Sequence, residues 1–165
     1  MRILFSILVC LSLASCMQRQ QTQSSFSEVQ KSRIFQYQAD EPMRIWEITS
    51  KSDSVLLRQK STDIQLPEDK LIAEKLAKGL LTTVTDTANP GVGIAAPQVG
   101  ILKNMILVQR FDKTNTPFET YINPKIEQYS QLKQPCLEGC LSIPNRMDTT
   151  RNRAYAILLT YQTME

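Results

Sequence analysis

Two short stretches hold the residues that chemistry would need. The first is Gly91-Val92-Gly93-Ile94-Ala95-Ala96-Pro97-Gln98-Val99-Gly100, made almost entirely of small side chains. Glycine lets a backbone approach a ligand closely or adopt positive φ. Gln98 carries the one polar side chain of the run, offering an N–H pair and a carbonyl. A plain tight turn between helix and strand accounts for the same letters. A dinucleotide-phosphate reading fails, because no helix start follows the glycines in the required pattern. The second stretch is Glu138-Gly139-Cys140-Leu141-Ser142-Ile143-Pro144. Cys140 reads three ways there: an ordinary buried thiol, half of a disulfide with Cys136 in an oxidising compartment, or a metal ligand that needs further partners. The chain has no histidine, so the commonest general base and nitrogen ligand are both absent.

These stretches need elements to position them. Pro67 suits a first helical turn, with Glu68 and Asp69 as its negative charges. Ile72, Leu76, Leu80 and Val84 then recur at helical spacing beside Ala73 and Ala77, and the pattern fades over Thr85–Ala88 before Asn89-Pro90-Gly91. Strands are predicted over Lys103–Arg110, over Phe118–Ile122 stopped by Asn123-Pro124, over Lys125–Tyr129 and over Ala154–Tyr161. Met43–Ile48 reads as an edge strand or an irregular segment, Val55–Arg58 as a short apolar piece, and Cys136–Cys140 as loop. One long helix followed by strands indicates an α+β fold.

The N-terminus reads as an address. Met1-Arg2 is followed by the apolar run Ile3–Leu13 and then Leu13-Ala14-Ser15-Cys16. A positive start, a short apolar core and small residues before a cut describe an export signal, and the tetrapeptide resembles a lipobox with Cys16 as the lipidated residue. Acyl chains on Cys16 would hold the protein at a membrane surface, giving an exported lipoprotein of the bacterial envelope. The division is then a signal over 1–15, a lipidated cysteine with a flexible Gln- and Ser-rich tether over 16–42, whose stretch Met17–Ser32 would reach about 20 Å as a coil, and a folded body over 43–165. The net charge of +3 is scattered, with no basic run to suit nucleic acid.

In this order and at this separation, the two motifs closely resemble those of the peptide deformylase family. That family shows G-x-G-hydrophobic-A-A-P-Q, then E-G-C-L-S-hydrophobic-P, then H-E-x-x-H. The resemblance runs from about Val55 to the C-terminus. It implies an α+β fold of antiparallel sheets around a central helix, which is missing from this chain. It implies removal of the formyl group from N-formylmethionyl peptides by a metallohydrolase using ferrous iron or zinc. Cys140 would be the thiolate metal ligand, and Gln98 and the Leu141 backbone N–H the oxyanion donors. The Val92 and Gly93 backbone would pair with the peptide, and Glu138 would line the methionine-side pocket, with Arg151 as its expected partner. The third motif has no counterpart here. The chain is therefore read as part of a longer enzyme, the product of an interrupted gene, or an inactive envelope-tethered peptide-binding lipoprotein. As given, it is expected to be inactive, to lack the metal and to be poorly stable alone.

Overall fold

The computed structural model describes residues 23–38 and 40–164. Its elements are α1 (Glu28–Phe35), α2 (Lys51–Leu57), α3 (Lys70–Val84), β1 (Gly93–Ala95), a 3₁₀ turn (Ala96–Val99), β2 (Met105–Gln109), β3 (Phe118–Tyr129), β4 (Lys133–Cys140), β5 (Ile143–Ala154) and β6 (Ile157–Gln162). One antiparallel sheet has the order β1-β2-β3-β6, and β4 and β5 form a separate antiparallel pair. The fold is α+β with antiparallel sheets, as expected. No α-helix follows α3 among the described residues.

The core lies between α3 and the first three strands. Ala73, Leu76, Leu80, Thr83 and Val84 form the buried stripe of α3, with Thr83 and Val84 both one turn beyond Leu80. They pack with Ile94, Ala96, Val99, Ile101, Met105, Leu107 and Ile122. Leu76 and Leu80 are fully buried, and burial of each contributes about 1.5–3 kcal/mol. Beyond Ile122 the chain is open. Leu137, Met147 and Leu158 are each 60% exposed or more, so much of β4, β5 and β6 presents apolar side chains to solvent.

Several expectations are corrected. The long helix begins at Lys70, not Pro67, with Asp69 at the N-cap. The Asp69 carboxylate is engaged elsewhere: it accepts from Ser24 Oγ at 2.6 Å, from the Ser25 N–H at 3.1 Å and from the Gln65 N–H at 3.1 Å, and it also takes the Ser25 hydroxyl. Asn123-Pro124 does not end a strand. Asn123 adopts φ 51° and the register shifts between Ile122 and Lys125, so a bulge lets one strand run on to Tyr129. Cys136 and Cys140 lie on a strand, not in a loop. Ala154 ends β5, and the last strand starts only at Ile157.

The largest correction concerns the tether. From Ser24 onward the chain is part of the body. Ser27 and Gln30 cap α1 reciprocally, Gln30 N–H to Ser27 Oγ and Ser27 N–H to Gln30 Oε1, which satisfies two otherwise unpaired donors. Phe26 and Ile34 are buried in the core. Lys103, only 2% exposed, donates to Ser25 O, Ser25 Oγ, Thr62 Oγ1 and Asp63 O at 2.6–3.1 Å. A buried ammonium is tolerable only with such partners. The predicted signal and Cys16 lie outside the described residues.

Candidate active site

The 3₁₀ turn aims Gln98. Its side-chain Oε1 accepts the Ala95 N–H at 2.8 Å. With the carbonyl end occupied, the amide NH₂ must face the other way, and Nε2 lies 3.8 Å from Cys140 Sγ. The second amide hydrogen remains available to a ligand. Gly100 closes the turn at φ 79°, a left-handed conformation that costs glycine nothing. A Cβ there would stand 2.5 Å from Trp46 Cε2 and Nε1, so glycine is required twice over.

Cys140 ends β4, and Leu141-Ser142 make a two-residue turn into β5, where Cys140 faces Ile143. The Leu141 side chain packs against the core. Its N–H makes no hydrogen bond among the described residues, which leaves it free to donate. Ser142 is buried with its hydroxyl unpartnered.

What joins the two motifs is the segment Met43–Ile48, which is irregular and not a strand. The Trp46 N–H donates to Gln98 O at 2.8 Å, and the Ile48 N–H to Ser142 O at 3.0 Å. One extended segment thus clips both turns, two residues apart. Asp53 fixes that segment by accepting from Arg44 Nη2 at 2.6 Å and the Glu47 N–H at 3.2 Å. Burial pushes the Asp53 carboxyl up, but the Glu47 N–H, Arg44 and Ser50 outweigh it and hold the group below its ordinary value. Sequence reasoning missed Trp46, Ile48 and Asp53. Backbone donors leave no trace in residue type, and only Ser50-x-x-Asp53 ahead of an apolar run carried a helix-start signal.

Val92 and Gly93 sit at the sheet edge. The Gln109 N–H donates to Val92 O at 2.8 Å. In an antiparallel ladder the next residue points its own groups away from that partner. Gly93 therefore turns its N–H and C=O to the outer edge of β1, which no strand covers among the described residues. That edge can accept an extended peptide by strand addition. Glu138, two residues before Cys140 on β4, accepts from Thr150 Oγ1 at 3.1 Å and pairs with Arg153. The expected Arg151 is not the partner. Neighbours on a strand point to opposite faces. Asp148 stands opposite Glu138, and between the Cys136–Thr150 and Gln134–Arg153 pairs β5 carries one extra residue, which puts Arg153 on the same face as Thr150 and Glu138.

The residues present do not fit a metal. Among the described residues no group of three or more His, Cys, Asp or Glu could hold an ion, and Cys140 is a lone thiol beside a glutamine amide. Nor do the two cysteines form a disulfide. Both are free, and four residues of strand separate them by about 13 Å, beyond the roughly 7 Å that a bridge allows.

Known proteins resemble this chain in sequence and fold. Peptide deformylase of Synechocystis sp. is 44% identical over 109 residues, covering 65% of this chain and 55% of that protein. Peptide deformylase 2 of Clostridium acetobutylicum is 38% identical over 94 residues, 57% of each chain. The chain thus spans little more than half the length of these relatives. Among solved structures, a class I type b peptide deformylase of Acinetobacter baumannii, bound to Met-Ala-Ser, superposes with a TM-score of 0.64 at 25% identity, covering 76% of this chain and 79% of that one. A peptide deformylase of Synechococcus elongatus in complex with actinonin gives 0.60 at 29% identity, over 74% and 60%. The family model for polypeptide deformylase matches residues 45–165, and the chain belongs to that family.

Proposed function

We propose that the protein is a peptide deformylase, hydrolysing the formyl–amine bond of N-formylmethionyl peptides, and that this chain supplies the substrate-holding half of the site. The observation that carries the reading is the Gln98 amide, locked by the Ala95 N–H so that its donor end faces Cys140. Hydrolysis adds water to the formyl carbon and breaks its bond to nitrogen, releasing formate and the free amine. Negative charge collects on the formyl oxygen. Gln98 Nε2 and the Leu141 N–H are the donors suited to hold it, and preorganised donors of this kind need no reorientation during reaction. The free edge of β1 at Val92 and Gly93 would align the peptide, and the Arg153-bound Glu138 would border the first side-chain pocket. Iron or zinc, as the family resemblance implies, would use Cys140 together with ligands that the described residues do not provide. The test is formate release from formyl-Met-Ala-Ser by the full protein loaded with Fe²⁺ or Zn²⁺. Release above that of a Cys140→Ala variant supports the reading, and equal rates overturn it.

A second reading, a peptide-binding lipoprotein without catalysis, is favoured by the lone thiol beside an intact peptide edge. It expects saturable binding of the same peptide without metal and without turnover. Anchorage at the envelope through Cys16 rests on the Leu13-Ala14-Ser15-Cys16 sequence. Incorporation of labelled palmitate, lost in Cys16→Ala, would establish it, and absence of label in the wild type would remove it.

A further inference from the structure

Residues 23–44 precede the part of the chain that the family model matches, yet they reach the site. Arg33 lies in the last turn of α1. Its Nη1 donates to Gly100 O at 2.8 Å, and its guanidinium carbon stands 4.9 Å from the centre of a Trp46 ring. Trp46 in turn fills the space that a Gly100 side chain would need and donates its N–H to Gln98 O. Arg44, tied to Asp53, has its own guanidinium carbon 4.9 Å from the same ring. The turn that carries Gln98 is thus held at two carbonyls, Gln98 O by Trp46 and Gly100 O by Arg33. The Gln98 side chain is tied to the same turn through Ala95, so any rotation of the turn carries Nε2 away from Cys140.

We propose that Arg33 is a positioning residue: by holding Gly100 O and lying against Trp46, it fixes the direction of the Gln98 amide and makes α1 a working part of the peptide site. The inference rests on the reading of Gln98 as the oxyanion donor. A planar guanidinium suits both tasks, since it can donate in its plane and stack on an aromatic face. A lysine can supply the charge and one hydrogen bond, but not the stack. The backbone of Arg33 is held independently of its side chain. Ile34 beside it is buried, and Ser24 and Ser25 are fastened to Asp69. Substituting the side chain therefore leaves α1 docked.

The experiment uses the full protein, supplied with Fe²⁺ or Zn²⁺, as wild type, Arg33→Ala, Arg33→Lys and the control Lys31→Ala, which removes the pair with Glu28 on the same helix. Hydrogen exchange is followed over residues 96–101 and over α1, and kcat and KM are measured with formyl-Met-Ala-Ser. Losing a charged hydrogen bond corresponds to about a tenfold effect. Arg33→Ala should speed exchange over 96–101 about tenfold with α1 unchanged, and lower kcat about tenfold with KM within about twofold. Arg33→Lys should recover part of both losses, and Lys31→Ala should match the wild type. Unchanged exchange over 96–101 overturns the proposal, as does a loss confined to KM or one shared by Lys31→Ala. A wild type without turnover sinks the deformylase reading by itself; the exchange pattern and its recovery in Arg33→Lys then still decide whether Arg33 holds the turn.

Discussion

Replacing Gln98 by glutamate separates what holds this side chain from what it does. The bond from the Ala95 N–H to Oε1, 2.8 Å long, survives the change, because a carboxylate oxygen accepts as well as an amide oxygen. The atom that faces Cys140 Sγ at 3.8 Å changes from a donor nitrogen to an anionic oxygen. Loss of one oxyanion donor costs about 2.7–4 kcal/mol, a factor of about 10²–10³ in kcat. The new negative charge opposes charge developing on the formyl oxygen, so the upper end of that range is expected. The peptide still pairs along β1, so KM should stay within about threefold of wild type, as expected for an interaction made only in the transition state. The thermal midpoint should hardly move. Gln98→Ala differs: it also strands the Ala95 N–H, which adds about 1 kcal/mol of instability. The assay is formate release from formyl-Met-Ala-Ser with the full protein supplied with Fe²⁺ or Zn²⁺, fitted for kcat and KM. If Gln98→Glu keeps more than a third of the wild-type kcat, or loses mainly in KM, the reasoning from Gln98 fails.

Other expectations follow from the same geometry. Asp69→Asn should lower unfolding stability in urea by about 1.5–3 kcal/mol, since it removes a buried carboxylate that accepts from Ser24, Ser25 and Gln65 and one of the two negative charges, Asp69 and Asp63, that favour the buried Lys103 ammonium; a loss below about 0.5 kcal/mol would show that the serines and Asp63 suffice. The Asp69 carboxyl is pushed up by burial, but Ser24, Ser25 and Gln65 outweigh this and hold it below its ordinary value. Its contribution should therefore be complete above about pH 4 and fade as pH falls through the lower folded value. Asp69→Asn should flatten that acid limb, and an unchanged limb in the variant would assign it to other groups. Gly100→Ala should cost at least about 2 kcal/mol, from a Cβ 2.5 Å from Trp46 combined with φ 79°, and circular dichroism melts would read it. Under mild oxidation of the monomer, thiol titration should still find Cys136 and Cys140 reduced; loss of both thiols without a change in mass beyond two hydrogens would contradict the strand geometry.

The helix α3 was legible because its apolar period is long and regular. The two motifs were legible because each packs several demanding residue types into a few positions. What stayed hidden has a common physical origin. The link between the motifs is made by the N–H groups of Trp46 and Ile48, which every residue but proline possesses. The β4–β5 pair was lost because burial there does not follow residue type: the half-buried positions of β4 are Gln134, Cys136 and Glu138, while Leu137 is 65% exposed, so no alternation of apolar and polar residues marks the strand. Asn123-Pro124 signalled a break, but a left-handed asparagine can bend a strand without ending it. The segment before Met43 was hidden by composition. Its glutamines and serines suggest a coil, yet Ser27-x-x-Gln30 was a capping box in plain view, and Phe26 and Ile34 are buried anchors that a compositional average dilutes.

The docking of Ser24 and Ser25 onto Asp69 also bears on how the domain could leave a membrane. If Cys16 carries the lipid, only the seven residues from Met17 to Gln23 separate the anchor from the body. Fully stretched, they reach about 25 Å, which keeps the domain close to the head groups. A protease that sheds it intact must cut within those seven residues. A cut further along, between Ile34 and Ile45, would free the serines that partner Asp69 and Lys103 and release Arg33 from the turn it grips. Shedding there would yield a loosened domain with its peptide site unset, so cleavage on that side of Ser24 would be inactivating.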